Sequence, residues 1–482
     1  MLDPRPVGYV IGLLLMALGA SMAVPMAADL AAGNGHWPAF LEGGLLTVLI
    51  GMCMALATSN AVRDRLSLQQ TFLLTTGVWL ALPIFAALPF ILGATEATYT
   101  DAFFEAMSGL TTTGATVFTR LDNLPQGLLL WRAMLQWFGG IGVIVVAMVF
   151  LPELRVGGMQ IFRSEGFDTM GKVLPRAAEI SSTISSIYVS ITALCAMAYG
   201  ALGMSAFDAV THAMTTVSTG GFANYDASFG AFSGAHEYVA TIFMLAAALP
   251  FVRYVQLLNG EAEPLWQDPQ IRAFLGTFAI IGLLAIAALV LRSDHTLEQA
   301  IRQSLFNVAS ILTGTGYSST DYMAWGGFAV ALFFFIGLIG GCAGSTSCSI
   351  KVFRYQILFA AVKAQIRRIH SPNGIFRPRY DGRKVSQDVL SSVMAFFVLF
   401  VVTVGVFSVA LAMTGLDLVT SVSGSAAAVA NIGPGLGPII GPAGTYEPLN
   451  DVAKWLLSAA MLIGRLELVV VFVLFTRRFW TA

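Results

Sequence analysis

The sequence predicts an all-α polytopic membrane protein with four fused helix–pore-loop–helix repeats around one pore, preceded by an N-terminal pair of helices. Three observations lead to this fold class. Hydrophobic residues make up 56% and charged residues 11% of the 482 residues, a composition typical of integral membrane proteins. Several apolar windows exceed the roughly 18 residues that mark a membrane-spanning helix. A short glycine-containing segment recurs between such windows.

The clearest copy of the recurring segment runs from Thr313 to Tyr317 and alternates Thr with Gly. Such a run can hold successive carbonyls on one side of an extended backbone, where they replace the water shell of a cation. One segment cannot surround an ion, but Thr111 to Phe118, Thr216 to Phe222 and Ala430 to Leu436 have the same layout. The candidate filter glycines, spaced 106, 96 and 117 residues apart, are Gly114, Gly220, Gly316 and Gly433. This interval predicts four copies of one unit in a single chain.

The other helices can be assigned around these segments. We expect an N-terminal pair of helices at 7–31 and 40–58. The first is expected to be a membrane helix and not a cleaved signal peptide, because its apolar run exceeds the about 15 residues of a signal-peptide core. Repeat one has an outer helix at 69–92, a pore helix at 101–110 capped by Asp101, and an inner helix at 128–151. The remaining helices are expected near 183–204, 238–258, 272–291, 326–350, 388–414 and 452–475.

The predicted domains follow from this assignment. They are the N-terminal pair at 1–65 and pore repeats at 66–165, 166–265, 266–370 and 371–482, the third of which contains an intramembrane loop. Each pore segment has about ten residues and cannot cross a hydrocarbon core of roughly 30 Å, so it must be re-entrant.

Basic residues predict the orientation. Alternate connections hold 20 of the 26 Lys and Arg residues, so these connections and both termini should be cytoplasmic, with ten spans and filters that enter from outside. Each pore helix then points its partially negative C-terminal end at the pore centre, which favours a cation. Asp122, Asp226 and Asp321 follow three of the filters and either attract cations to the outer mouth or are ordinary loop carboxylates.

Two features at membrane depth lie below the predicted filter. Ten small residues from Gly340 to Ser349 interrupt the third inner helix, and they form either a loop across the conduction path or a continuous helix with GxxxG packing faces. Arg465 lies near the middle of the fourth inner helix, where a charge needs a polar partner or a cavity. Glu467 is two positions away and cannot face it on one helix. Arg465 and Ile339 each lie 12 residues before a basic residue at the cytoplasmic end, which predicts equal depth. We therefore expect the backbone carbonyls and hydroxyls of the loop to be the acceptors for Arg465.

Other functional classes find little support in the sequence. No nucleophile, metal cluster or acid–base pair is visible, so we expect no enzyme activity, and a net charge of -1 argues against nucleic-acid binding. The four cysteines have no metal-ligand spacing. His212 is interpreted as a hydrogen-bonded helix residue. The basic stretch from Lys363 to Lys384 is expected beside anionic lipid or, secondarily, at a docking surface for a soluble partner.

Together, the four repeats, their glycine-centred filters and the Arg465 helix resemble the Trk/Ktr/HKT superfamily of potassium transporters, most closely its bacterial Trk-type membrane subunits. The resemblance covers nearly the whole chain and implies a channel-like uptake pore in the bacterial inner membrane. The transported ion is then K⁺, with Rb⁺ and some Na⁺, and no cofactor is covalently bound. The filter residues that the resemblance implies are Thr112, Thr113, Gly114, Ser218, Thr219, Gly220, Gly314, Thr315, Gly316, Asn431, Ile432 and Gly433.

The resemblance carries further expectations. A serine at the first filter glycine is associated with sodium permeation in this superfamily, so Gly114 favours potassium. The fourth filter, with Pro434 and Leu436, departs most from a potassium-channel filter. The implied gate consists of Gly340, Gly341, Gly344, Ser345, Thr346, Ser347 and Arg465. The implied partners are a second copy of the chain, in a homodimer with two pores, and a cytoplasmic TrkA-like ring of nucleotide-binding regulatory subunits. A Na⁺- or H⁺-coupled symporter remains the alternative.

Overall fold

The computed structural model describes residues 3–61, 66–95, 97–146, 158–159, 177–292 and 295–481. The predicted domain boundaries at residues 65 and 165 and the predicted end of the first inner helix at Leu151 lie outside these ranges. Within them the chain is an all-α polytopic membrane protein, and its one sheet is an antiparallel pair of two-residue strands, Arg379–Tyr380 and Arg383–Lys384.

The N-terminal helices are Arg5–Ser21, Ala23–Ala32 and Pro38–Thr58. The first and third pack closely, because a Cβ on Gly12 would lie 2.7 Å from the carbonyl oxygen of Gly51 and a Cβ on Gly51 would lie 2.7 Å from that of Gly12. Small residues allow this approach inside a membrane, where helix association depends on packing.

Four outer helices follow, one in each repeat. They are Leu68–Ala86, which continues beyond Ala87 as Leu88–Leu92, and Ala177–Ala201, Pro269–Arg292 and Gln387–Met413. The corresponding pore helices are Tyr99–Leu110, Ala206–Val217, Leu297–Thr313 and Leu418–Ala430. The pore helices have 12 to 17 residues, fewer than the about 20 that cross a bilayer.

The first pore helix begins earlier than the sequence predicted. Thr98 is the N-cap residue and accepts a hydrogen bond from the backbone N–H of Asp101 at 3.2 Å. Asp101 occupies the third helical position, where its carboxylate accepts the Thr98 hydroxyl at 2.9 Å. The prediction of Asp101 as the cap was therefore wrong, because Thr98 occupies the N-cap position and Asp101 lies in the first helical turn.

The inner helices differ from one another. The first is Gln126–Val145, whereas the second is divided into Ala235–Ala247 and Phe251–Leu258 with a 91° bend. The third consists of Gly327–Gly337 and Val352–His370, with residues 340–349 outside any helix, so the alternative of a continuous helix there was wrong. The fourth is Asp451–Arg465 followed by Val469–Leu474. The continuous helices predicted at 238–258 and 452–475 were also wrong.

Within the described ranges, seven helices are long and apolar enough to span a membrane, or eight if the bent pair is one span. The predicted count of ten is reached only if the divided third and fourth inner helices are also counted as spans. The shorter elements are Glu263–Gln267, Gly437–Ile440, Arg477–Thr481 and the 3₁₀ turns Ser59–Ala61, Leu121–Asn123, Ser228–Ala231 and Tyr322–Trp325.

Candidate functional site

The four turns that follow the pore helices have the same backbone geometry. In each, a residue just beyond the helix donates its N–H to the carbonyl five residues earlier, at 2.8 to 3.0 Å. The donors are Thr113, Gly220, Thr315 and Ile432, and the acceptors are Ser108, Thr215, Ser310 and Ala427. These bonds align the repeats residue by residue.

The alignment corrects the second segment by one position. The residues equivalent to Gly114, which all have φ between +76° and +97°, are Gly221, Gly316 and Gly433. The residues two positions earlier also have positive φ and are Thr112, Thr219, Gly314 and Asn431. The prediction of Ser218, Thr219 and Gly220 as the equivalent triplet was therefore wrong in register. Ser218 keeps a right-handed helical conformation, so the turn begins one residue later, at Thr219.

The four segments form a closed ring in chain order. A Cβ on Gly114 would lie 2.2 Å from the Gly220 oxygen, and a Cβ on Gly221 would lie 1.9 Å from the Thr315 oxygen. The ring continues from Gly316 to the Ile432 oxygen at 1.8 Å and closes from Gly433 to the Thr113 oxygen at 2.7 Å. Each glycine thus abuts a carbonyl of the next repeat, and its positive φ and its missing side chain are both required there.

Cavities lie on both sides of this ring. The cavity on the side of the ring away from the 340–349 loop, named the outer cavity after the predicted orientation, is lined by all four positive-φ glycines of the ring and by Arg132, Asp226 and Tyr446. The inner cavity is lined by Asn431 from the fourth segment, by Cys348 from the interrupted inner helix, and by Arg465. The pore helices end at the ring, so their partially negative ends favour a cation there.

A side chain of each pore helix supports the strand that leaves the ring. Glu105, His212, Asn307 and Ser423 accept the backbone N–H groups of Val117, Asn224, Ser319 and Leu436 at 2.9, 3.5, 3.2 and 2.9 Å. The other ring nitrogen of His212 lies 2.9 Å from the Asp208 carbonyl oxygen, so the imidazole uses one nitrogen as donor and the other as acceptor. The interpretation of His212 as a hydrogen-bonded helix residue is confirmed.

The segment from Gly340 to Ser349 is fixed to two neighbouring elements. The Thr346 hydroxyl and the Cys342 N–H donate to the carbonyls of Ala247 and Ala248, both at 3.0 Å. These carbonyls are free of helix bonds because the second inner helix divides there. Ser347 Oγ donates to the Thr313 carbonyl at 2.6 Å, directly below the third turn. The loop therefore lies under the ring.

Arg465 contacts this loop, but through an atom that the sequence argument did not identify. Its Nη1 donates to Cys348 Sγ, and its Nη2 donates to the carbonyl of Gly139 on the first inner helix at 2.9 Å. The expected acceptors, loop carbonyls and hydroxyls, were wrong. Arg465 is 4% exposed, and its Nε has no acceptor among the described residues. Glu467 pairs with Arg354 instead, as the fourth inner helix divides just after Arg465.

The outer carboxylates support backbone turns. Asp226 accepts the N–H groups of Arg120 and Leu121 at 2.9 and 3.0 Å, and Asp321 accepts the N–H of Met323 at 2.9 Å. Asp122 lies 3.3 Å from the N–H of Asp226. These bonds favour the interpretation as loop carboxylates, although Asp226 also lines the outer cavity.

Sequence reasoning missed three buried residues at this site, Arg132, Gln136 and Cys348. Arg132 Nε lies 2.8 Å from Glu105 Oε1, and both side chains are at most 2% exposed. The signal for Arg132 was present, because it is a charge within an apolar helix, the same argument that identified Arg465. Cys348 gave no comparable signal, since buried cysteines are common core residues.

Known proteins match this chain over nearly its whole length. The family model described as TrkH, a cation transport protein, matches residues 36–481. The chain is 42% identical to the Trk system potassium uptake protein TrkI of Halomonas elongata, over 98% of this chain and 96% of that protein. It is 37% identical to the Trk system potassium uptake protein TrkH of Escherichia coli K12, over 99% of both. The crystal structure of the potassium transporter TrkH from Vibrio parahaemolyticus matches with a TM-score of 0.91 and 32% identity, over 99% of this chain and 100% of that one.

Proposed function

The chain belongs to the TrkH family of cation transport proteins, and from this premise we propose that it takes up potassium across the bacterial inner membrane through a channel-like pore. It is a multi-pass membrane transporter of the Trk potassium uptake system and not an enzyme. The observation that carries the proposed mechanism is the closed ring of glycines and carbonyls contributed by four turns. Carbonyls held in such a ring can replace the hydration shell of K⁺.

The proposed selectivity filter consists of the three aligned residues of each turn. These are Thr112, Thr113 and Gly114; Thr219, Gly220 and Gly221; Gly314, Thr315 and Gly316; and Asn431, Ile432 and Gly433. Potassium binds at their backbone oxygens as the transported ion, and Rb⁺ and some Na⁺ follow the same path. The boundaries of the N-terminal pair and the four repeats at 65, 165, 265 and 370 are part of this proposal.

Uptake of ⁸⁶Rb⁺ by liposomes containing the purified chain tests the proposal. Uptake without Na⁺, a proton gradient or ATP supports a channel-like pore. The second candidate is a Na⁺- or H⁺-coupled symporter, because the architecture of a filter does not by itself reveal whether transport is coupled. A strict requirement for either driving ion would overturn the channel in favour of the symporter.

The proposed gate is the loop from Gly340 to Ser349 together with Arg465. A loop fixed below the ring by Thr346 and Ser347 obstructs ions sterically, and the Arg465 guanidinium repels cations at the same depth. Opening requires these contacts to break. The lower half of the third inner helix, Val352–His370, extends from the loop and would move the loop when a partner pulls on it.

The proposed assembly is a homodimer with two pores and a cytoplasmic ring of TrkA-like nucleotide-binding subunits, with both termini on the cytoplasmic side. The exposed Ile366 and Ile369 flank two arginines near the end of Val352–His370, which suits contact with anionic lipid or with that ring. The mass of the detergent-solubilised chain tests the dimer. A monomeric mass, or normal uptake in cells without regulatory subunits, argues against this assembly.

A further inference from the structure

The first inner helix makes an unusual contact with the second filter strand. Gln136 is fully buried, and both the nitrogen and the oxygen of its side-chain amide form hydrogen bonds with that strand. Its Nε2 donates to the Gly220 carbonyl at 2.6 Å, and its Oε1 accepts the N–H of Phe222 at 3.0 Å. The side chain therefore holds the backbone on both sides of Gly221, and its Nε2 is bonded to one of the four carbonyls of the ring.

A second side chain, one helical turn earlier, also contacts this strand. Arg132 Nη1 donates to the Ala223 carbonyl at 2.7 Å, and its guanidinium lies 4.1 Å from the centre of the Phe222 ring. The buried carboxylate of Glu105 compensates its charge. Arg132 and Gln136 are four residues apart and so share one helix face, from which they hold Gly220, Phe222 and Ala223 in sequence.

The helix can lie this close because Gly140, one turn further on, has no side chain: a Cβ there would lie 3.0 Å from the Ser218 Cα. The neighbouring Gly139 faces the end of the first pore helix instead, where a Cβ would lie 1.9 Å from the Leu110 carbonyl oxygen. One helix face thus follows the second filter strand from Ser218 to Ala223.

Among the described residues, no other inner-helix side chain bonds a ring carbonyl in this way. In the first repeat a Cβ on Gly139 would lie 1.9 Å from the Leu110 oxygen, and in the fourth a Cβ on Gly464 would lie 2.0 Å from the Val429 oxygen, so these two glycines are equivalent. The residue three positions before Gly464 is Met461, which takes the place of Gln136 in the fourth repeat. A buried amide where an equivalent helix has an apolar side chain needs a local reason, and the bonded carbonyl is one.

We infer that Gln136 is a positioning residue for ion selectivity, because its amide sets the place of the Gly220 carbonyl in the ring. This inference rests on the proposed function. The Gly220 carbonyl accepts the hydrogen bond from Gln136 Nε2, so it cannot shift toward a smaller ion without losing that bond. Without the amide the Gly220 oxygen is free to move, and Na⁺ is then coordinated better relative to K⁺.

The test compares Gln136→Met with Gln70→Met in liposomes loaded with equal amounts of folded protein. Methionine keeps the length of the side chain and removes both hydrogen bonds. Gln70 is the matched control, because its buried amide also makes two backbone bonds, to the Ser67 N–H at 2.9 Å and the Asp3 carbonyl at 2.8 Å, in the N-terminal part of the chain. The measurement is the ratio of ²²Na⁺ to ⁸⁶Rb⁺ uptake.

We expect Gln136→Met to raise this ratio at least about threefold and Gln70→Met to leave it unchanged, since only the first frees a ring carbonyl. A parental ratio in well-folded Gln136→Met would overturn the inference. If Gln136→Met does not fold, Gln136→Leu carries the same test, because it also removes the donor to Gly220 and adds no charge. Failure of both to fold while Gln70→Met folds would make Gln136 a folding residue and overturn the inference. A parent chain that does not prefer Rb⁺ would instead refute the proposed function.

Discussion

Alanine at Gly316 is expected to disrupt the ring at its tightest point. The new Cβ would lie 1.8 Å from the Ile432 oxygen, so the third and fourth segments must separate by roughly 1.5 Å to restore an ordinary contact. The residue also has φ of +83°, which costs an alanine about 1 to 2 kcal/mol relative to glycine. The strain affects stability, whereas the separation changes the geometry of the carbonyls.

A control variant separates these two effects. Gly415 has φ of +95° and no atom within 4 Å of an added Cβ, so Gly415→Ala produces the strain without the contact. Both variants should lower the melting temperature by a few degrees. Only Gly316→Ala should reduce ⁸⁶Rb⁺ uptake per folded molecule, by about tenfold or more, because a carbonyl displaced by over 1 Å no longer coordinates the ion.

The neighbouring positions give a graded series. The added Cβ would lie 2.2 Å from the nearest carbonyl oxygen at Gly114 and 2.7 Å at Gly433, so the loss of uptake should decrease in the order Gly316→Ala, Gly114→Ala, Gly433→Ala. Equal uptake in Gly316→Ala and Gly415→Ala, or a series in the reverse order, would refute the reasoning that these glycines are required by the close carbonyls.

Three further predictions concern the gate, the first filter and the buried ion pair. Deleting part of the loop from Gly341 to Ser347, or Arg465→Ala, should raise basal ⁸⁶Rb⁺ uptake without a regulatory partner and leave the Na⁺/Rb⁺ uptake ratio unchanged. If a well-folded deletion variant conducts no faster than the parent, the loop only packs against its neighbours and is not a gate. Gly114→Ser should raise the Na⁺/Rb⁺ uptake ratio, and an unchanged ratio would argue against the filter assignment. Glu105→Gln should destabilise the protein by about 3 to 5 kcal/mol in thermal melts, because it leaves a buried guanidinium without its carboxylate; a melting temperature equal to the parent's would contradict this.

Much of the architecture could be predicted from the sequence, because apolar length and glycine spacing are local patterns. The pore helices and the interruption at Gly340 to Ser349 follow from such patterns. The register of the second filter could not be predicted, since Thr219-Gly-Gly offers two adjacent glycines and only the i to i−5 bond from Gly220 decides between them. The break before Phe251 had a signal in Pro250, which ends or kinks helices.

The division of the fourth inner helix had no such signal. Glu467 and Leu468 both take positive φ, a conformation that local propensity disfavours for these residues. Tertiary contacts compensate for it, since Glu467 reaches Arg354 on another helix and Arg465 reaches Cys348 and Gly139. Partners contributed by distant segments are not visible in a single sequence, which is why the Cys348 thiol and the Gly139 carbonyl were not expected as the acceptors of Arg465.

Fusion of the four repeats into one chain has a genetic consequence. In a pore made of four identical subunits, every substitution is present in all four subunits, and a change that is tolerated in one subunit can abolish function when all four carry it. Here a codon change alters one repeat only. Residues that occur in a single repeat could therefore arise independently, and examples are Gln136 in the first, Cys348 in the third and Arg465 in the fourth. In the proposed pore, ion preference and gating can therefore change through separate mutations in different repeats.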